Sequence, residues 1–154
     1  MTNMTTPFSI QAKSYIHSLY QSFNDETLVK IEDLAKDLLS AWNEKRQVFI
    51  CGNGGSAANA IHIANDLIYG IGISEDNHCI PGIRVEALPS NQGVLTCLAN
   101  DTGYENIFSI QLKVKANVND ILIVLSGSGN SSNICKALHT AKSMGCKSHA
   151  IVAF

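Results

Sequence analysis

One pattern, occurring twice, limits what this chain can fold into more than any other. A short run of apolar residues stops at an abrupt Gly/Ser stretch, and a helix-forming segment follows. At residues 47–67 it reads QVFIC, then GNGGS, then AANAIHIANDL; at 120–145 it reads DILIVL, then SGSGNSSN, then ICKALHTAKSMG. Short apolar runs bounded by turn residues suit strands buried on both faces. Strands alternating with helices imply a parallel sheet with right-handed crossovers.

The rest of the chain fits that plan. Helices are expected at 8–22 and 26–43, the second with Leu28, Ile31, Leu34, Leu38 and Leu39 at helical spacing and acidic residues near its start. Strands are expected at 47–51, 83–88, 120–125 and 148–154, and helices at 56–69 and at 134–145, the latter closed by Gly145. GVLTCLAND predicts a helical turn or two, and 102–116 a further helix. The glycines and polar residues of 70–82 predict a loop. The chain ends within the apolar stretch SHAIVAF, with no helix after it. A partner subunit, or the remainder of a longer domain, is therefore expected to cover that strand.

At 154 residues the chain suits one α/β-sized domain. Its 45% hydrophobic and 16% charged residues fit a soluble globule, and no apolar run approaches the roughly 20 residues of a membrane helix. Neither a membrane nor nucleic acid is expected as partner, the net charge being −2 with no Lys/Arg cluster. The start lacks the basic and apolar segments of a secretory signal. The five cysteines are scattered without a C-x-x-C, as expected for reduced thiols in a cytoplasm.

In a parallel sheet both Gly/Ser loops lie at the carboxyl ends of strands, where open α/β folds bind ligands, and each leads into a helix N-terminus suited to an anion. Ser56, Ser126, Ser128 and Ser131 can donate hydroxyl hydrogen bonds. No lysine follows the glycines, which excludes a Walker A nucleotide loop, and Ala57 breaks the G-x-G-x-x-G spacing. Either loop alone is equally a strand-to-helix turn with serine caps. Two on successive crossovers point to a phosphate ester.

His62 and Asp66 stand four apart on the helix after the first loop, with Asn59 on the same line. Residues at that spacing share a face, and their side chains lean back towards the loop. A lone His–Asp pair of this kind is more often a surface hydrogen bond than a metal site.

Taken together, GNGGSAANAIHIANDL, CLANDTGYENIFS and LSGSGNSSNICKAL resemble the sugar isomerase (SIS) domain, and within it the phosphoheptose isomerases. The resemblance covers about 7–154. It implies a flavodoxin-like three-layer sandwich with a parallel sheet, preceded by two N-terminal helices. It divides the chain into an oligomer-forming helical segment, 1–45, and a C-terminally incomplete phosphosugar-binding domain, 46–154. It implies a cytoplasmic homotetramer with active sites between subunits, converting sedoheptulose 7-phosphate to a heptose 7-phosphate for bacterial surface polysaccharide.

By the same resemblance Ser126, Gly127, Ser128 and Ser131 hold the sugar phosphate, while Asn53, Gly54 and Gly55 approach the sugar with Ser56 beside them. Asn100 and Asp101 contact the substrate; read without the family, they are a helix end. His62 is a zinc ligand, and Asp66 stands where the family has a glutamate that binds metal and acts as base in enediolate chemistry. The sequence also departs from the family. Gly127 stands where threonine is common, Asn65 replaces an acid, and Tyr69 and Gly70 occupy the place of an arginine. The family's terminal helix, which supplies a glutamine and a histidine, has no counterpart. His139 and His149 do not replace that histidine by position, and His17 and His78 read as ordinary polar residues. The zinc site is thus incomplete, with two ligands where a catalytic zinc takes three. Two other readings use the same residues: a noncatalytic SIS scaffold of the type that associates with the replication initiator, and an inactive truncated isomerase.

Overall fold

The apolar runs form four strands in one sheet. A computed structural model describes residues 7–69 and 80–153, so His78, Cys79 and most of the loop expected at 70–82 lie outside the described residues. The chain divides into two compact units, 1–36 and 37–154. In the first, helix α1 (Phe8–Ser22) has no buried residue. Helix α2 (Asp25–Glu44) starts with the Asn24 side chain accepting from the Thr27 N–H at 2.9 Å and runs on into the second unit.

The second unit continues with β1 (Gln47–Gly52), α3 (Gly55–Ile68), β2 (Arg84–Ala87), a 3₁₀ turn (Leu88–Ser90), α4 (Gln92–Thr102), a second 3₁₀ turn (Tyr104–Asn106), α5 (Ser109–Lys115), β3 (Ile121–Ser126), α6 (Ser132–Ser143) and β4 (Lys147–Val152). The strands are all parallel in the order β2-β1-β3-β4, and helices cover both faces, as the sequence predicts. Two segments differ from expectation. The turn or two expected at 93–101 is an 11-residue helix, and the helix expected over 102–116 is broken. Gly103, at φ +94°, ends α4 and opens the second 3₁₀ turn, a conformation other residues rarely adopt.

One face of the sheet presents Phe49, Cys51, Leu122 and Val124 to Leu88, Phe108, Leu112, Ile134 and Ala137. Each large side chain fully buried there contributes about 1.5–3 kcal/mol. Burial pushes the Cys51 thiol up to about 12, so this cysteine acts as a small apolar residue. On the other face Val48, Ile50 and Ile123 are buried, and α3 meets the sheet through the small Ala60 and Ala64.

Strand β4 is exposed along most of its length; it pairs with β3 and is tied to α2 by charge. Asp37 of α2 accepts from Lys147 Nζ and pairs with His149 Nε2 at 2.9 Å. Burial works to raise the Asp37 pKa, but the hydrogen bonds and charges of Lys147 and His149 prevail and hold it below its ordinary 3.8. A depressed carboxylate pKa adds stability that is complete above the ordinary value and is lost as pH falls through the folded one. Asp37→Asn is therefore expected to lower stability at neutral pH and to flatten its decline below about pH 4, read from denaturant midpoints across pH. An unchanged acid limb would remove this carboxylate from the account.

Candidate functional site

The chain connections place the site. β1 leads through α3 to β2 on one side, and β3 leads through α6 to β4 on the other. The adjacent ends of β1 and β3 are thus the switch point of a doubly wound sheet, where such folds open a crevice. Both Gly/Ser loops end there. A cavity of about 520 Å³ opens between α3 and the ends of β3 and β4, lined by Ser56, Asn59 and His62 of α3, by Ser126 and Gly127, and by apolar residues including Ile151 and Val152 of β4. Asn53 and Gly54 of the first loop line a separate cavity with Tyr104.

The first loop turns sharply into α3. Gly54 has φ +54°, and the Ser56 and Ala57 N–H groups both return to the Asn53 carbonyl. Gly52 lets α3 come close: a Cβ there would lie 2.7 Å from Ser56 Cβ and 2.8 Å from the Ser56 carbonyl carbon and oxygen. Cβ atoms at Gly54 and Gly55 would meet nothing within 4 Å, so this stretch offers open backbone to a ligand.

The second loop folds on its own hydroxyls. Ser126 Oγ accepts from the Gly129 N–H at 3.1 Å, and Ser128 Oγ accepts from the Asn130 N–H at 3.3 Å. Ser131 is the N-cap of α6 by position, and its side chain makes no capping bond. Ser126 is buried, while Gly127 and Ser128 are exposed, and a Cβ on Gly127 would meet nothing within 4 Å. An exposed turn with serine hydroxyls at a helix N-terminus suits a dianionic phosphate.

The structure brings some of the expected residues together and leaves others apart. Ser56, His62, Ser126 and Gly127 line one cavity. Asp66 does not line it: its Oδ2 lies 3.5 Å from His62 Nε2, and the two side chains are 58% and 76% exposed. Asn100 and Asp101 lie at the exposed end of α4, bonded to each other at 2.7 Å, away from the cavity wall. Asn53 does not point freely at a ligand, because its amide is bonded to Asn133 and Tyr104. Asn59 was expected on the His62 line and does share its cavity.

A zinc ion here would draw on His62 and Asp66. Among the described residues no group of three or more His, Cys, Asp and Glu side chains could hold a metal. Two exposed ligands do not make a catalytic zinc site.

A doubly wound parallel sheet with paired Gly/Ser loops at its switch point defines an α/β domain of the class that opens a ligand crevice at that point. Residues 13–153 match the family model of the SIS domain, and the chain belongs to that family. Phosphoheptose isomerase of Sulfurimonas denitrificans is 39% identical over 129 residues, which are 84% of this chain and 64% of the relative. That of Aneurinibacillus thermoaerophilus is 38% identical over 122 residues, 79% of this chain and 59% of the relative. The chain thus spans less than two thirds of the length of these curated relatives. Among solved structures, a phosphoheptose isomerase from Francisella tularensis superposes with a TM-score of 0.76 at 27% identity, covering 96% of this chain and 75% of that one. One from Neisseria gonorrhoeae gives 0.74 at 26% identity, covering 94% and 73%.

Proposed function

We propose that this chain binds a phosphorylated sugar at the cavity beside α3 and the second loop and is the substrate-binding part of a phosphoheptose isomerase, acting on sedoheptulose 7-phosphate. The carrying observation is that cavity, where Ser126 and Gly127 of the phosphate-type loop face Ser56, Asn59 and His62 across a switch-point crevice. The phosphate sits on the second loop, held by Ser126, Ser128 and Ser131 and the N-terminal amides of α6. The sugar extends towards Gly54, Gly55 and His62. Isomerisation moves a proton between C1 and C2, and Asp66, one helical turn beyond His62, is the base in this reading. Asn100 and Asp101 contact substrate only where another copy, or a movement of α4, brings them to the cavity.

The wider setting is proposed with it: a cytoplasmic homotetramer serving bacterial surface polysaccharide synthesis. The apolar side chains that α1 exposes, Phe8, Tyr15, Ile16 and Leu19 among them, support a role in self-association. Any zinc held at His62 and Asp66 takes a further ligand from outside the described residues.

Titration calorimetry with sedoheptulose 7-phosphate tests the binding, and conversion of that sugar by the same preparation tests the chemistry. Ser128→Ala is expected to weaken sugar-phosphate binding about tenfold, the loss of one hydrogen bond to a charged oxygen. Unchanged affinity would take the second loop out of the site. The exposure of the His62–Asp66 pair favours a second reading, a noncatalytic SIS binding protein. Binding without turnover would select it.

A further inference from the structure

The two loops are fastened to each other. Asn53 follows β1, and Asn133 lies in the first turn of α6, 80 residues further on. Asn53 Nδ2 donates to Asn133 Oδ1 at 2.9 Å, and Asn133 Nδ2 donates back to Asn53 Oδ1 at 2.8 Å. Tyr104, in the turn after α4, donates its hydroxyl to the same Asn53 oxygen at 3.0 Å. Asn133 Oδ1 also accepts the Ile134 N–H at 3.0 Å, and Asn133 is only 1% exposed.

A pair of apolar side chains could fill this place without the cost of burying amides. Paired amides do what apolar packing does not: two opposed hydrogen bonds fix the distance and the relative orientation of the groups they join. Those groups are the root of the loop that approaches the sugar and the helix start that follows the phosphate loop. Tyr104 secures the same oxygen from a third element, so the fastening draws together β1, α6 and the segment between α4 and α5.

We propose that Asn133, with Tyr104, is a positioning residue that sets the separation of the two loops and thereby the match to a ligand spanning both. This rests on the phosphosugar reading above. A ligand touching only the second loop, such as inorganic phosphate, is indifferent to the fastening. A sugar phosphate, held at both ends, depends on it.

The test uses the full chain, Asn133→Ala and Tyr104→Phe, each titrated with sedoheptulose 7-phosphate and with inorganic phosphate. Hydrogen exchange of the amides at 53–56 is followed without ligand. Asn133→Ala is expected to weaken the sugar phosphate about tenfold and inorganic phosphate less than about twofold, and to speed exchange at 53–56. Tyr104→Phe, which removes one hydroxyl from an exposed residue, is expected to show the same pattern at about threefold. It decides the matter if Asn133→Ala does not fold. Equal losses for both ligands would overturn the proposal in favour of a merely structural role, and so would unchanged binding of both. If the unaltered chain binds neither ligand, the phosphosugar reading falls. The fastening is then judged by exchange alone: acceleration at 53–56 in the variants upholds it, and no change overturns it.

Discussion

Gly52→Ala is expected to destabilise the protein by about 3 kcal/mol and to abolish sugar-phosphate binding. The added methyl would sit 2.8 Å from the carbonyl carbon and oxygen of Ser56, and backbone in the first turn of a helix cannot swing aside as a flexible side chain can. Either β1 shifts against its buried neighbours or the start of α3 lifts from the sheet. β1 is buried from Val48 to Gly52, paired with β3 over that whole stretch and with β2 as far as Ile50, so α3 is the element that moves. It carries Ser56, Asn59 and His62 with it, and the cavity wall opens. A melting temperature lower by roughly 10 °C is the expected reading. Gly127→Ala supplies the control, since its methyl would meet nothing within 4 Å. It should melt within about 2 °C of the unaltered chain. If the two variants melt alike, close approach of helix and strand is not the reason for glycine at Gly52.

That contrast marks what the sequence reveals and what it hides. Both glycines follow an apolar run and look alike on paper. The strands were legible because QVFIC and DILIVL are short apolar runs without alternation, each stopped by glycine and serine, which suits a strand buried on both faces. The loops were legible because glycine and serine cluster between a strand pattern and a helix pattern. The fastening of those loops was not. Asn133 reads locally as one more polar residue at a helix start, and its partner is 80 positions away. Nothing around His149 in the sequence hints at Asp37, 112 positions earlier, with which it pairs. Gly93 and Thr96 are weak helix formers, so the sequence predicts less helix at 93–101 than α4 has. The Thr96 hydroxyl bonds back to the Gln92 carbonyl at 2.9 Å, and the helix persists. Pairings set by topology leave no periodic trace, whereas local chemistry does.

The same distinction bears on Asp66, where the helical spacing is legible and the reach is not. Asp66→Asn is expected to lower isomerisation of sedoheptulose 7-phosphate by at least about 100-fold while leaving its binding within about twofold. The amide keeps the shape of the carboxylate and removes its capacity to take a proton. The converse substitution is the sharper one. Asp66→Glu adds one methylene to a side chain that leans along α3 towards His62, which does line the cavity. The carboxylate then advances by about one ångström towards the reacting carbons, a displacement to which proton transfer is sensitive. Turnover is expected to rise in Asp66→Glu and to collapse in Asp66→Asn, with affinity nearly constant across all three proteins. If Asp66→Asn turns over at the original rate, the base is another group. Should none of the three turn over while all bind the sugar phosphate, the site is a binding site, and the exposed His62–Asp66 pair at 3.5 Å is a surface contact with no part in proton transfer.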